Sequence, residues 1–322
     1  MIQIKKTKYK LCLIIDVRNW AFHHIALQIR KRYPSDIFTY NDFSRSVLNK
    51  SFEFQKYINY VFFFLPLKKT NFKKKIKEFN RINRIFFLLY ENYTWTLGEK
   101  YKIGFIQKLI GVNKLFVASP KILENLKKTL PGINIHGTCY DGVNEKIFKY
   151  KSYDENILTK DKLVIGWIGN SDLSINGKVK RFKEIKEVVD GLPDKFVFKP
   201  LDSMKEYIPH NQVPNYIYSV DIIVCFSTSE GTPNQILEAS SCGRCWVSTD
   251  VGIVSMLQNT ISNNNCGIII GKEKEDLKEA LLELYDNREL ITKYGTNGRI
   301  AIQKKFRIDL TINNIISQVL KR

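Results

Sequence analysis

The chain has 322 residues, 44% of them hydrophobic, with 51 Lys and Arg against 32 Asp and Glu for a formal net charge of +19. That length suits about two domains, and the hydrophobic fraction supplies ordinary cores. No apolar run reaches the roughly eighteen residues of a membrane span, the first residues lack the order of a secretory leader, and six scattered cysteines form no disulfide framework, so a cytoplasmic protein is expected.

In chain order, KLCLIID (10–16) reads as a buried strand, and WAFHHIALQIRKRY (20–33) repeats its apolar residues at helical spacing. His23 and His24 lie in that helix and are expected to pack rather than to bind a ligand. SDIFTY, NYVFFF, RIFFLLY and KLFVAS are short β-branched or aromatic runs bounded by polar turns, the signature of further strands. The run from Tyr60 to Leu67 leads directly into KKTNFKKKIK (68–77). Lysines beside apolar residues suit an anionic membrane surface, and a solvated lysine-rich segment after a buried strand explains the pattern equally well. Residues 1–150 hold 28 Lys and Arg against 10 Asp and Glu, so nearly all of the excess charge lies in the first half. Two halves of such different charge point to two domains with different partners. No nucleic-acid-binding motif accompanies the basic half.

PKILENLKKTL (120–130) begins with a Ser119 cap and a first-turn proline, as a helix does. After a polar stretch at 149–161 the alternation restarts with KLVIGWIGN (162–170) and FKEIKEVVDGL (182–192). It continues through KFVFKPL, SVDIIVCFS, CWVSTD and CGIIIG as strands, with QILEASSCG and KEDLKEALLELYDN as helices between them. Strands alternating with helices call for parallel sheets of βαβ units. Cys242 and Cys245 make a C-x-x-C, but no second pair or nearby histidine completes a metal site, and a structural role is expected.

The most informative stretch is SEGTPNQILEASSCG (229–243), where a strand ends, a Gly-Pro turn follows and a helix begins. Ligands of open α/β sheets bind beyond the carboxyl ends of the strands. Gly231 permits close backbone approach, and the free N–H groups of the helix start suit a phosphate. Glu230 stands at the mouth of this element and Glu238 two helical turns deeper. Each carboxylate can accept hydrogen bonds from a pair of hydroxyls, so the pattern reads as a diphosphate between two polyols.

The spacing resembles the E-x7-E motif of family 4 retaining glycosyltransferases of the GT-B fold. The resemblance extends over roughly residues 112–308. It includes VNKLFVASPKILENLKK, CYDGVNEKIFKY, KLVIGWIGNSDLSINGKVKRFKEIKEV, the block SVDIIVCFSTSEGTPNQILEASSCGRCWVSTDVGIVSML, then CGIIIG and the helix carrying Arg299. The implied fold is α/β, with two Rossmann-like domains whose parallel sheets face each other across a cleft. An acceptor domain would occupy 1–155 and a nucleotide-sugar donor domain 156–304, with a C-terminal helix at about 305–322 packing back on the first.

Carried over to these positions, the resemblance gives Glu230 the hydroxyls of the transferred sugar and Glu238 the ribose. Gly231, Thr232, Pro233, Asn234 and Gln235 would line the sugar and phosphate pocket, and Gly169 the strand end before the phosphate loop. Lys178 and Lys180 are the bases available for the diphosphate. Lys180 aligns best, because K-R-F stands where the family usually has K-G-F. Asn170 replaces the usual phosphate-binding arginine, a loss that Arg181 or Lys178 would have to offset. In the first half, D-V-R-N-W replaces the usual glycine-rich loop, and Glu91 stands where a histidine is common, which leaves Asp16, Asn19, Trp20 and Glu91 as acceptor-side candidates, with a structural role favoured for Asp16 and Glu91.

The expected function is transfer of a sugar, with retention, from a nucleotide-sugar to a glycan or lipid-linked acceptor in surface polysaccharide or glycoconjugate synthesis. No D-x-D is present, so no metal or other cofactor is expected. The partners would be the donor, the acceptor and an anionic membrane surface on its cytoplasmic face, with no nucleic acid. The alternative is a non-catalytic nucleotide-sugar or polyanion binding protein on the same fold, and the close match to the E-x7-E block argues against a sugar-nucleotide epimerase.

Overall fold

The computed structural model describes residues 10–18, 21–63, 84–89, 114–129, 131–172, 175–262 and 264–321. The described residues up to Asp141, together with those from Thr311 onward, form one compact unit, and Gly142–Leu310 form the other. The division comes earlier than the expected 155/156 boundary because the polar stretch after Asp141 is bound to the second unit. Lys151 N donates to Cys242 O, Tyr153 Oη donates to Asp221 O, and the Arg244 guanidinium lies 4.3 Å from the Tyr153 ring centre. Residues 305–310 belong there too, since Val143 N donates to Phe306 O and Ile308 N to Val143 O.

The first unit is built on β1 (Lys10–Ile15), α1 (Ala21–Arg30), β2 (Ser35–Thr39), α2 (Tyr40–Leu48), β3 (Tyr57–Phe62), β4 (Arg84–Leu89), β5 (Lys114–Val117), α3 (Pro120–Thr129) and β6 (Gly137–Thr138). Its strands are parallel and lie in the order β2-β1-β3-β4-β5-β6. Strands covered on both faces must be apolar throughout, and residues 11–15 of β1 are all buried. The α3 start is as expected, with Ile122 N donating to Ser119 Oγ at 3.2 Å. Helix α2 was not foreseen, although Thr39 Oγ1 accepts from Asp42 N and donates to Asp42 Oδ2, a capping pattern visible as T-x-x-D.

The second unit contains β7 (Leu163–Gly169), α4 (Ile175–Lys180), α5 (Phe182–Asp190), β8 (Phe196–Asp202), α6 (Val213–Tyr218), β9 (Ile222–Cys225), α7 (Asn234–Cys242), β10 (Cys245–Thr249), α8 (Val254–Gln258), β11 (Ile268–Ile270), α9 (Lys274–Asp286) and α10 (Arg288–Ala301). The chain closes with α11 (Ile308–Leu320), whose far end belongs to the first unit, where Asn59 Nδ2 of β3 donates to Val319 O at 2.8 Å. The sheet order is β11-β10-β9-β7-β8, all parallel. After β7 the chain moves outward to β8 and returns on the other side as β9, so the strand order reverses between β7 and β9. Crevices of doubly wound sheets open at such a reversal.

Two local devices keep this sheet intact. Pro200 stands opposite Trp167 on β8, an edge strand that tolerates a missing N–H, and beside it the Tyr216 hydroxyl bridges the backbones of β7 and β8. It accepts from Trp167 N at 3.0 Å and donates its one proton to Lys199 O at 2.5 Å, with Trp167 O also within 3.1 Å. Between α7 and β10, Gly243 turns the chain with φ +78°, a conformation that glycine adopts without a Cβ clash. The flanking Cys242 and Cys245 are free and buried, and burial pushes the Cys242 thiol up to about 12 and that of Cys245 higher still. Both stay protonated and serve as packing, as expected.

Tyr216→Phe is expected to lower unfolding stability by about 1–3 kcal/mol by leaving buried Trp167 backbone groups unpaired. Urea denaturation of the variant and the parent checks this.

Candidate functional site

Both loops that flank the reversal carry the residues singled out from the sequence. Gly169 ends β7 and Asn170 follows it, while Glu230 follows β9 and leads into α7. The Lys180 end of α4 is tied to the β9 loop through the backbone, with Thr228 N donating to Val179 O at 2.9 Å. This contact sets Lys180 beside Glu230, fifty residues away in sequence, with Nζ 2.5 Å from Oε1. Ser227 Oγ donates to the same oxygen at 2.8 Å. Burial favours the neutral amine at Lys180, but the charge and hydrogen bond of Glu230 outweigh it and hold the ammonium above the ordinary lysine value. Lys180 therefore remains a cation near neutral pH, with only 23% of its side chain exposed.

Arg181, the next residue, adopts the left-handed conformation (φ 51°, ψ 38°) and redirects the chain from α4 into α5. A glycine takes that conformation without strain, which is a physical reason for K-G-F where this chain has K-R-F. The Arg181 side chain is committed elsewhere. Its guanidinium stacks 3.9 Å from the Phe226 ring centre, donates to Lys272 O at 2.6 Å and pairs with Glu184 at 3.2 Å. These contacts occupy the Arg181 side chain. Lys178 is exposed on α4, and Asn170 Oδ1 accepts from Asp172 N at 2.8 Å, folding its side chain onto its own loop.

Helix α7 starts at Asn234, with Pro233 before it. Gly231, Thr232 and Pro233 are buried, and their turn rests on Gly252 from the loop after β10. Gly252 has φ +58°, and a Cβ there would stand 2.5 Å from Gly231 O and 2.9 Å from Pro233 Cδ. Only glycine allows the two backbones to approach so closely. Ile236 N donates back to Pro233 O, whereas the N–H groups of Asn234 and Gln235 donate to no acceptor among the described residues. The buried Gln235 side chain bridges to β7, its Oε1 accepting from Ile168 N at 3.1 Å, and its Nε2 has no partner. Unclaimed N–H donors at a helix start favour an anion.

Glu238 lies one turn into α7 with 12% of its side chain exposed, and its Oε1 is 2.9 Å from His210 Nε2. His210 comes from the loop between β8 and α6 and packs edge-on against Phe148, with ring centres 5.1 Å apart. Burial pulls the imidazole down, but the hydrogen bond and charge of Glu238 outweigh that effect and raise it above the ordinary histidine value. The loop is anchored at its start by Asp202. The Asp202 carboxylate accepts from Ser171 Oγ at 2.5 Å, Ser171 N at 3.1 Å and Met204 N at 3.1 Å, joining the loops after β7 and β8. Burial raises the Asp202 carboxyl, and these hydrogen bonds outweigh it and hold it below the usual carboxylate range. The sequence reading singled out none of His210, Asp202 and Gly252.

In the first unit, Asp16 directly follows β1 and accepts from Val17 N at 2.6 Å. Burial raises its carboxyl despite that bond. His23 and His24 are half-buried on α1, with ring centres 6.3 Å apart. Asn19, Trp20, Glu91 and the lysine run 68–77 lie outside the described residues. Among the described residues no cluster of three or more His, Cys, Asp or Glu is arranged to hold a metal ion.

Residues 165–287 match the family model for glycosyl transferases group 1. No curated protein matches the chain. Its fold is similar to that of sucrose-phosphate synthase from Thermosynechococcus elongatus, with a TM-score of 0.70 and 13% identity over 96% of this chain and 98% of that one. HepE of Anabaena, solved with UDP and glucose, gives a TM-score of 0.66 and 13% identity over 96% and 98%. The lipopolysaccharide outer core galactosyltransferase WaaB gives 0.62 and 14% identity over 96% and 99%. The chain therefore has the GT-B fold, and the segment that carries both glutamates matches the model for glycosyl transferases group 1; the family 4-like resemblance holds at that coarse level.

Because Asp202 has a depressed carboxyl, its contribution to stability is present above the unfolded value of about 3.9 and is lost as pH falls through the folded value. The stability gap between the parent and Asp202→Asn is expected to be largest above pH 5 and to shrink toward pH 3, as read from denaturant midpoints across that range.

Proposed function

We propose that the chain is a glycosyltransferase that takes a sugar from a nucleoside diphosphate and places it on a glycan or lipid-linked acceptor in surface polysaccharide or glycoconjugate synthesis. The observation that carries this reading is the state of the two carboxylates. Glu230 and Glu238 are each held through Oε1 alone, by Lys180 and Ser227 in one case and by His210 in the other. The second oxygen of each accepts nothing from the described residues, and the unclaimed N–H groups of Asn234 and Gln235 lie between the two glutamates in sequence. Two half-satisfied carboxylates flanking an anion-binding helix start match the hydroxyls of a sugar, a diphosphate and a ribose in that order.

In this reading Glu230 Oε2 accepts from hydroxyls of the transferred sugar, and Glu238 Oε2 accepts from the ribose. The bond between the anomeric carbon and the diphosphate oxygen breaks, and a new carbon–oxygen bond forms to the acceptor hydroxyl. The proton of that hydroxyl passes to the departing diphosphate. Charge developing on the leaving group meets the Lys180 ammonium and the N–H groups of Asn234 and Gln235, donors already in place before reaction. Transfer is metal-independent in this proposal, and front-face attack from the leaving-group side gives retention. Asp16 and Glu91 belong to the acceptor side of the reading. The HepE structure with UDP and glucose supports a nucleotide-sugar donor, while the base and sugar used by this chain are left to experiment.

No helix among the described residues is long and apolar enough to cross a membrane. The proposal places the protein in the cytoplasm, with the basic first half drawn to an anionic membrane surface. Cosedimentation with vesicles containing phosphatidylglycerol at low salt, and none with neutral vesicles, is the expected result; equal behaviour with both would remove the membrane component.

Thermal unfolding against UDP, GDP, ADP, TDP and CMP tests the donor reading. A ligand at about a hundred times its Kd adds roughly 2.7 kcal/mol and raises Tm by several degrees. One nucleotide should produce that shift. Glu230→Ala should abolish transfer while leaving the fold intact, and full activity in that variant would refute the assignment.

A further inference from the structure

We infer that His210 is a positioning residue for the nucleotide's ribose, holding Glu238 so that one carboxylate oxygen stays directed at the sugar hydroxyls. The inference rests on the proposed role of Glu238 and adds to it a residue that the E-x7-E motif does not contain. Glutamate has three side-chain torsions, and an isolated carboxylate on a helix surface samples many orientations. Here Oε1 is fixed at 2.9 Å by His210 Nε2, which leaves Oε2 as the oxygen that accepts no bond from the described residues. A carboxylate that bonds through both oxygens can serve the protein and a ligand together, so the histidine need not depart when the ribose arrives.

The mounting of His210 supports this role. Its ring packs edge-on against Phe148, a fully buried residue whose carbonyl accepts from Ser241 Oγ of α7 at 2.7 Å. The imidazole is therefore backed by a residue that is itself fastened to the helix carrying Glu238. The loop that delivers His210 begins at Asp202, whose carboxylate binds the loop after β7. One loop thus connects the β7 strand end with the ribose carboxylate on α7.

The role predicts a specific change in discrimination. Binding of UDP, GDP and ADP and of their 2′,3′-dideoxy counterparts is measured by isothermal titration on the full chain. For the nucleotide that binds, the parent should prefer the ribose form by about tenfold or more, a difference of about 1.4 kcal/mol. In His210→Ala that ratio should fall close to one, with affinity for the dideoxy form nearly unchanged. His210→Gln, which keeps a donor at the end of its side chain, should restore much of the ratio. If His210→Ala keeps the parent's ratio, the positioning role is overturned. Equal weakening of both forms also overturns it, because orientation of a carboxylate toward hydroxyls cannot weaken a ligand that lacks them. A parent that binds but does not discriminate would show that Glu238 is not the ribose carboxylate, and a parent that binds no nucleotide would overturn the donor reading itself.

Discussion

The second unit depends on a pairing that stops short. Strands β7 and β9 are in register only at Ile165–Ile222 and Gly166–Ile223, while β7 continues to Gly169 and pairs with β8 on its other side throughout. Beyond Gly166 the edge of β7 that faced β9 has no strand partner, and buried backbone groups must find other ones. Gln235, from the first turn of α7, bonds Ile168 N. The same divergence that exposes the strand edge draws the start of α7 into the opening, and with it the turn that carries Glu230.

Each acidic group around this opening has partners within the protein. Lys180 and Ser227 hold Glu230, His210 holds Glu238, and Asp202 is filled by Ser171 and Met204. A fully satisfied carboxylate stabilises structure and has little left for a ligand. The glutamates keep an oxygen in reserve, whereas Asp202 uses both oxygens within the protein and fixes the loops in place. In the proposed function, that difference separates the carboxylates that meet ligands from the one that positions the loops.

Some local rules are broken here, and the surroundings show what offsets them. Arg181 in the left-handed region costs about 1 kcal/mol relative to glycine, and its stacking on Phe226 and bond to Lys272 O hold it there. Pro200 lies in β8 at the edge of the sheet, where its missing N–H would face away from β7 and costs no ladder bond. Arg181 is tolerated because its own side chain is held, and Pro200 because its strand lies at the sheet edge.

The alternation of strands and helices, the parallel sheets and the E-x7-E spacing were legible in the sequence, because these patterns are set by residues near one another along the chain. Strand runs such as residues 10–15 are apolar because both faces are covered, and Glu230 and Glu238 lie on one strand-turn-helix element. The partners of those glutamates were not all legible. His210 meets Glu238 across 28 residues, Ser171 meets Asp202 across 31, and Lys180 meets Glu230 across 50. Lys180 could be placed only through a family resemblance, and the unit boundary moved to Asp141 because the polar stretch after it binds Cys242 and Asp221. The sequence alone determined which residues were available at the strand ends; the order in which strands pack decided which of them touch.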